Sequence, residues 1–134
     1  VGLFAATVFP RDRHVIAIEA NPSACADARV NLAERDVEVV QSPVEEWTPL
    51  AAAVVVADPA RDGLRAGGVD VLTATNAQVI VLISCDPASL GRDARLLIAK
   101  GYRLDYSEVL DLFPHTHHVE VVSRFVRDES MEVV

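Results

Sequence analysis

An α/β fold with a mostly parallel sheet and an antiparallel last strand is predicted for this 134-residue chain by three observations. Short β-branched runs alternate with Ala- and Leu-rich helical stretches, the pattern of strand–helix–strand units. Hydrophobic residues make up 51% of the chain but aromatics only 5%, a balance suited to a sheet buried on both faces. Towards the C-terminus two longer strand-rich segments follow one another without a helix between them, so the sheet should finish antiparallel.

The elements follow in order. His14 to Glu19 is an apolar run ending in an acid and reads as a buried strand. Asn21, Pro22 and Ser23 supply cap and first-turn residues for a helix over Ala24 to Glu34. Val37 to Val40 is the next strand, and Val44 to Leu50 fits a helical turn. Ala53 to Ala57 is a strand closed by Asp58 and Pro59, Val69 to Asn76 a helix, and Gln78 to Ile83 a strongly β-branched strand. Asp86 and Pro87 open a helix to about Lys100, with Gly101 as its stop. Arg103 to Leu112 and Val119 to Val126 are the closing strands.

Composition narrows the function. No apolar run is long enough for a bilayer-spanning helix, and no signal sequence opens the chain, so a soluble, cytoplasmic protein is expected. Two cysteines, Cys25 and Cys85, are too few for a disulfide framework. The net charge of −8 argues against this domain gripping nucleic acid unaided, because phosphate contacts need a basic surface. The opening, Val1-Gly2-Leu3-Phe4 without an initiator Met, reads as the interior of a longer protein.

Open α/β sheets bind ligands at the carboxyl ends of their strands, and here those ends carry Glu19, Ser42, Asp58 and Ser84-Cys85. Glu19 follows Gly2 at about the distance, roughly 20 residues, at which an acid meets the hydroxyls of a ribose; a solvated loop acid is the alternative. Cys85 lies where a strand feeds a helix, and the positive helix end raises a thiol's reactivity. An ionised Asp86 opposes that effect, and a buried structural cysteine is the alternative, as expected for Cys25 on its Ala-rich helix. His115, His117, His118 and Glu120 could with Cys85 bind a metal, but strand alternation turns His115 and His117 away from His118 and Glu120. A Cys–His hydrolase is disfavoured because nothing resembles a nucleophile elbow.

Three segments then combine. Asp58-Pro59-Ala60-Arg61-Asp62-Gly63-Leu64, Ser84-Cys85-Asp86-Pro87-Ala88-Ser89-Leu90-Gly91-Arg92-Asp93 and Asp111-Leu112-Phe113-Pro114-His115-Thr116-His117-His118-Val119-Glu120 resemble three signatures of the RNA uracil-5-methyltransferases, in the same order. Val1 to Phe4 resembles the end of that family's glycine-rich cofactor loop. The resemblance implies a class I S-adenosylmethionine-dependent methyltransferase fold, Rossmann-like, with its first strand missing. Residues 1–134 would then be part of a catalytic domain that acts on ribosomal or transfer RNA, held mainly by domains upstream. It implies Cys85 as the nucleophile at uracil carbon 6 and Glu120 as the acceptor of the carbon 5 proton. Gly2, Leu3, Glu19 and Asp58 match positions that bind S-adenosylmethionine, and Arg61 a position near the target uridine. No metal is implied. Four positions depart from the pattern: Ala60 replaces a second proline, Asp86 and Leu3 replace asparagines, and Pro43 falls near a position that often offers a polar group to the adenine. Two other readings remain, a class I methyltransferase of another substrate and a non-catalytic metal-binding domain.

Overall fold

The computed structural model describes residues 1–112, 114–116 and 119–128. The chain divides into two compact units, Val1–Thr48 and Pro49–Val134.

The first unit contains α1 (Leu3–Thr7), β1 (Val15–Glu19), α2 (Pro22–Asn31) and β2 (Val37–Gln41), followed by a 3-10 turn at Val44–Glu46. The two strands pair in parallel from Val15 with Val37 to Glu19 with Gln41. Asn21 caps α2 as expected, its side chain accepting from the Ser23 and Ala24 amides at 2.9 and 3.1 Å. The helix ends before the expected Glu34. Arg35 is drawn instead to α1, where its guanidinium donates to the carbonyls of Ala5, Ala6 and Phe9. Those carbonyls, at and beyond the end of a short helix, need partners, and a charged donor is a strong one. Ala5, Val15, Ala28 and Leu32 form the core, flanked by Phe9, Val37 and Val39.

The second unit contains β3 (Val54–Ala57), α3 (Arg65–Ala74), β4 (Val79–Ser84), α4 (Pro87–Ala99), β5 (Tyr102–Leu110) and β6 (Glu120–Arg127). Its sheet has the order β3-β4-β6-β5, with β3 and β4 parallel and β6 antiparallel to both its neighbours. The antiparallel finish is thus present, and the last strand inserts between β4 and β5 rather than adding at the edge. Alternation sets the faces: Ile80, Leu82 and Ser84 on β4 are buried, as are their partners Phe125, Ser123 and Val121 on β6. With Val69 and Leu72 of α3 and Leu97 of α4 they supply the buried core of this unit. Each such large apolar side chain contributes about 1.5–3 kcal/mol on burial.

Helix α3 starts four residues earlier than the Val69 expected from sequence. Gly67 and Gly68 are poor helix formers, and Leu64 at the cap position has no side-chain acceptor. The missing cap comes from α4. Asp93, only 1% exposed, accepts from the Leu64 amide at 2.6 Å and the Arg65 amide at 3.1 Å. Arg92 braces the same carboxylate at 2.9 Å and also donates to the Asp62 carbonyl. Gly63 has to be glycine here: its φ is +73°, and a Cβ would lie 2.3 Å from an Asp93 oxygen.

Replacing Asp93 with Ala leaves two amide donors of α3 without their acceptor, at about 1–3 kcal/mol each. Asp93→Ala should therefore destabilise the fold by roughly 3 kcal/mol or more, and Asp93→Asn, which keeps one oxygen acceptor, by clearly less. Denaturant midpoints of the full-length variants, with hydrogen exchange at Leu64, measure this; equal midpoints would remove Asp93 as the cap.

Candidate active site

All three sequence signatures reach the same end of the second sheet. Residues 58–64 follow the carboxyl end of β3, residues 84–93 follow that of β4, and 111–120 join β5 to β6 at the same level, where Leu110 pairs with Glu120. This is the end at which open α/β sheets carry ligand sites. Phe113, His117 and His118 lie outside the described residues.

The β4–β6 ladder ends with Ile83 opposite Val122 and Ser84 opposite Val121. One step further, the next residues are Cys85 and Glu120. Opposed residues of an antiparallel pair have Cα atoms roughly 4.5–5.5 Å apart, and Cys85 and Glu120 adjoin the last such pair in sequence. Both are half-buried. Asp58 lies two residues short of the level of Cys85. Ala57 pairs with Leu82, so Asp58 is level with Ile83 on the third adjacent strand, and the three strands span about 10 Å.

Cys85 is held from both sides. The Ser84 hydroxyl reaches over it to the Asp86 carbonyl at 3.0 Å and accepts from the Asp86 amide at 3.3 Å. Asp86 then caps α4, accepting from the Ser89 amide at 2.7 Å. An asparagine could make the same cap, which explains why the departure at this position is compatible with the fold. Sequence reasoning placed Ser84 at a strand end but missed its part as the clamp of the turn. Asp93 was missed altogether; the only sign was an acid at a position of α4 that should face inward.

Charge separates the two aspartates. The hydrogen bond from the Ser89 backbone holds the Asp86 carboxyl below the usual carboxylate range, and the Arg61 guanidinium adds to this. Partial burial pushes Asp58 the other way, above that range, although the residue as a whole is exposed. Arg61 and Asp86 line the same cleft.

Gly2, Leu3 and Glu19 belong to the first unit. Gly2 precedes α1 with φ +81°, and a Cβ there would lie 3.0 Å from Leu32, so its backbone is kept bare. Glu19 ends β1 and accepts from the Asn21 amide at 2.7 Å, a local bond that orients its carboxylate. Cys25 is fully buried and Cys85 partly so, and both thiols are free. Among the described residues no three His, Cys, Asp or Glu side chains gather as metal ligands, and no helix is long and apolar enough to cross a membrane.

Comparison with known proteins gives consistent matches. The family model for tRNA (uracil-5-)-methyltransferase matches residues 46–126. The 23S rRNA (uracil(1939)-C(5))-methyltransferase RlmD of Aliivibrio fischeri is 34% identical, over 95% of this chain and 31% of its own length. The crystal structure of Pyrococcus abyssi tRNA (uracil-54, C5)-methyltransferase with S-adenosyl-L-homocysteine superposes with a TM-score of 0.83 at 34% identity, covering 93% of this chain and 31% of that one. The N-methyltransferase NodS of Bradyrhizobium japonicum, also with S-adenosyl-L-homocysteine, shares the fold alone: TM-score 0.78 at 13% identity, over 96% of this chain and 74% of that one. The α/β fold is that of the class I methyltransferases. The chain spans less than a third of the RNA methyltransferases it matches.

A depressed carboxylate contributes stability above its unfolded pKa, near 4, and loses it as the pH falls through the folded value. Asp86→Asn removes that titration while keeping a cap acceptor. The full-length wild type should therefore melt above the variant near neutrality, and the gap should close as the pH falls below about 4. Parallel curves down to acid would show that the cap charge does not matter.

Proposed function

The chain belongs to the tRNA (uracil-5-)-methyltransferase family, and from that premise we propose that residues 1–134 are part of the catalytic domain of an enzyme that methylates carbon 5 of a uridine in ribosomal or transfer RNA. One observation carries the mechanism: Cys85 and Glu120 are the next residues beyond the last β4–β6 rung, Ser84 opposite Val121. A nucleophile and a carboxylate on neighbouring strands can reach the same pyrimidine.

The chemistry asks for that pair. Carbon 5 of uracil is too weak a nucleophile to take a methyl group directly. In the proposed reaction the Cys85 sulfur bonds to carbon 6, and the electron pair of the 5,6 double bond becomes available at carbon 5. S-adenosylmethionine, when bound, supplies the methyl group. Glu120 then takes the carbon 5 proton; the freed pair restores the double bond and the carbon–sulfur bond breaks, returning the thiolate. A positioned base of this kind typically gives about 10²–10⁴ in rate. The uridine has to leave its stack to reach the thiol, at a cost of a few kcal/mol.

Each unit offers groups of the kind the cofactor needs. Glu19 offers a carboxylate at a strand end for the ribose, Gly2 and Leu3 a bare backbone turn for the methionine portion, and Asp58 a partly desolvated carboxylate one strand from Cys85. Arg61, beside Asp86, is assigned to the target nucleotide.

Glu120→Gln should methylate RNA and then stall as a covalent protein–RNA adduct visible on a denaturing gel, and Cys85→Ser should form none. Wild type should also be trapped by RNA containing 5-fluorouracil, where no carbon 5 proton can leave. Identical behaviour of the two variants, with no trapping of the wild type, would leave a methyltransferase in which Cys85 is incidental.

A further inference from the structure

Resting on that reading, we propose that an arginine-lined cleft beside Cys85 is a docking subsite for the RNA backbone, taking a phosphodiester adjacent to the target uridine. The cleft has a volume of about 440 Å³ and opens to solvent. Arg61 and Arg65 face it from the loop after β3 and the start of α3, Arg92 and Arg95 from α4, and the carboxylates lining it are Asp62 and Asp86. Four of the chain's 12 basic residues thus converge in one place on a protein of net charge −8. A depression rich in arginine on an acidic domain favours a polyanion at that spot.

The arginines are not equivalent. Arg92 is spent on Asp93 and the Asp62 carbonyl, and Arg65 is paired with Asp62. These bonds fix the floor and one wall, and hold Arg65 at a positive φ of 57°. Arg95 is exposed and has neither an acid partner nor a hydrogen bond among the described residues. It stands two residues beyond Asp93 on the rigid helix whose first turn follows the nucleophile, and the positive end of that helix also faces the cleft through Ser89. An unpaired guanidinium on a rigid element, kept in place by neighbours already neutralised, suits a phosphate. The adjacency to Asp86 makes it a phosphate of the nucleotide whose base reaches Cys85, or of its neighbour.

The test uses the full-length protein with Arg95→Gln, Arg95→Glu and Arg95→Lys, and RNA binding measured across a salt series. Loss of one phosphate contact should weaken RNA binding about threefold to tenfold in Arg95→Gln and reduce the salt slope by about 1. Arg95→Glu should lose more, and Arg95→Lys should recover most of it. The KM for RNA should rise in step, with S-adenosylhomocysteine affinity unchanged. Unchanged RNA affinity and slope in Arg95→Glu overturns the subsite, as does an equal loss of S-adenosylhomocysteine binding, which marks a folding defect. Trapping of wild type by 5-fluorouracil RNA is scored separately: without trapping the catalytic reading fails, and with trapping but no Arg95 effect only the subsite falls.

Discussion

A single buried carboxylate ties the second unit's chemistry together. Asp93 accepts from the backbone of Leu64 and Arg65 on one side and from Arg92 on the other, and so fastens the loop after β3 to the helix after β4. Burying a carboxylate is costly unless its oxygens are well paired, and two backbone amides and a guanidinium meet that condition. The same contact dictates Gly63, leaves no room for a side chain there, and lets α3 begin before its own weak helix formers. Two of the sequence signatures are therefore one structural object. Asp93 thereby links the segment that follows Asp58 and Arg61 to the helix that follows Cys85.

The second constraint is the insertion of β6. Because it lies between β4 and β5, its first residue falls beside the end of β4. Had β6 added outside β5, Glu120 would stand a further strand away, roughly 10 Å from β4. Ser84 completes the arrangement, since its hydroxyl clamps the bend in which the cysteine sits. The thiol is thus held by strand, turn and helix cap in succession.

Electrostatics divides labour within an acidic chain. Asp86 is stabilised as an anion by a helix amide and by Arg61, while Asp58 is pushed towards its neutral form by burial. Positive charge is concentrated in the cleft next to them. Such a layout sets a basic cleft apart within an acidic chain.

The alternation of apolar runs and helical stretches was enough to place every strand, and the helices α2, α3 and α4 though not α1, to within a few residues, because burial periodicity and cap chemistry are local properties. Cys85, Asp58 and Glu19 could be singled out for the same reason: they end strands, and strand ends are where such sheets carry sites. The start of α3, the clamp by Ser84 and the part played by Asp93 were hidden, since each depends on a partner that only folding supplies. Most of all, the order of the strands decides whether Cys85 and Glu120 meet. Strand order is a choice among pairings that the alternation leaves equally open, and only the packing of β6 between β4 and β5 makes it.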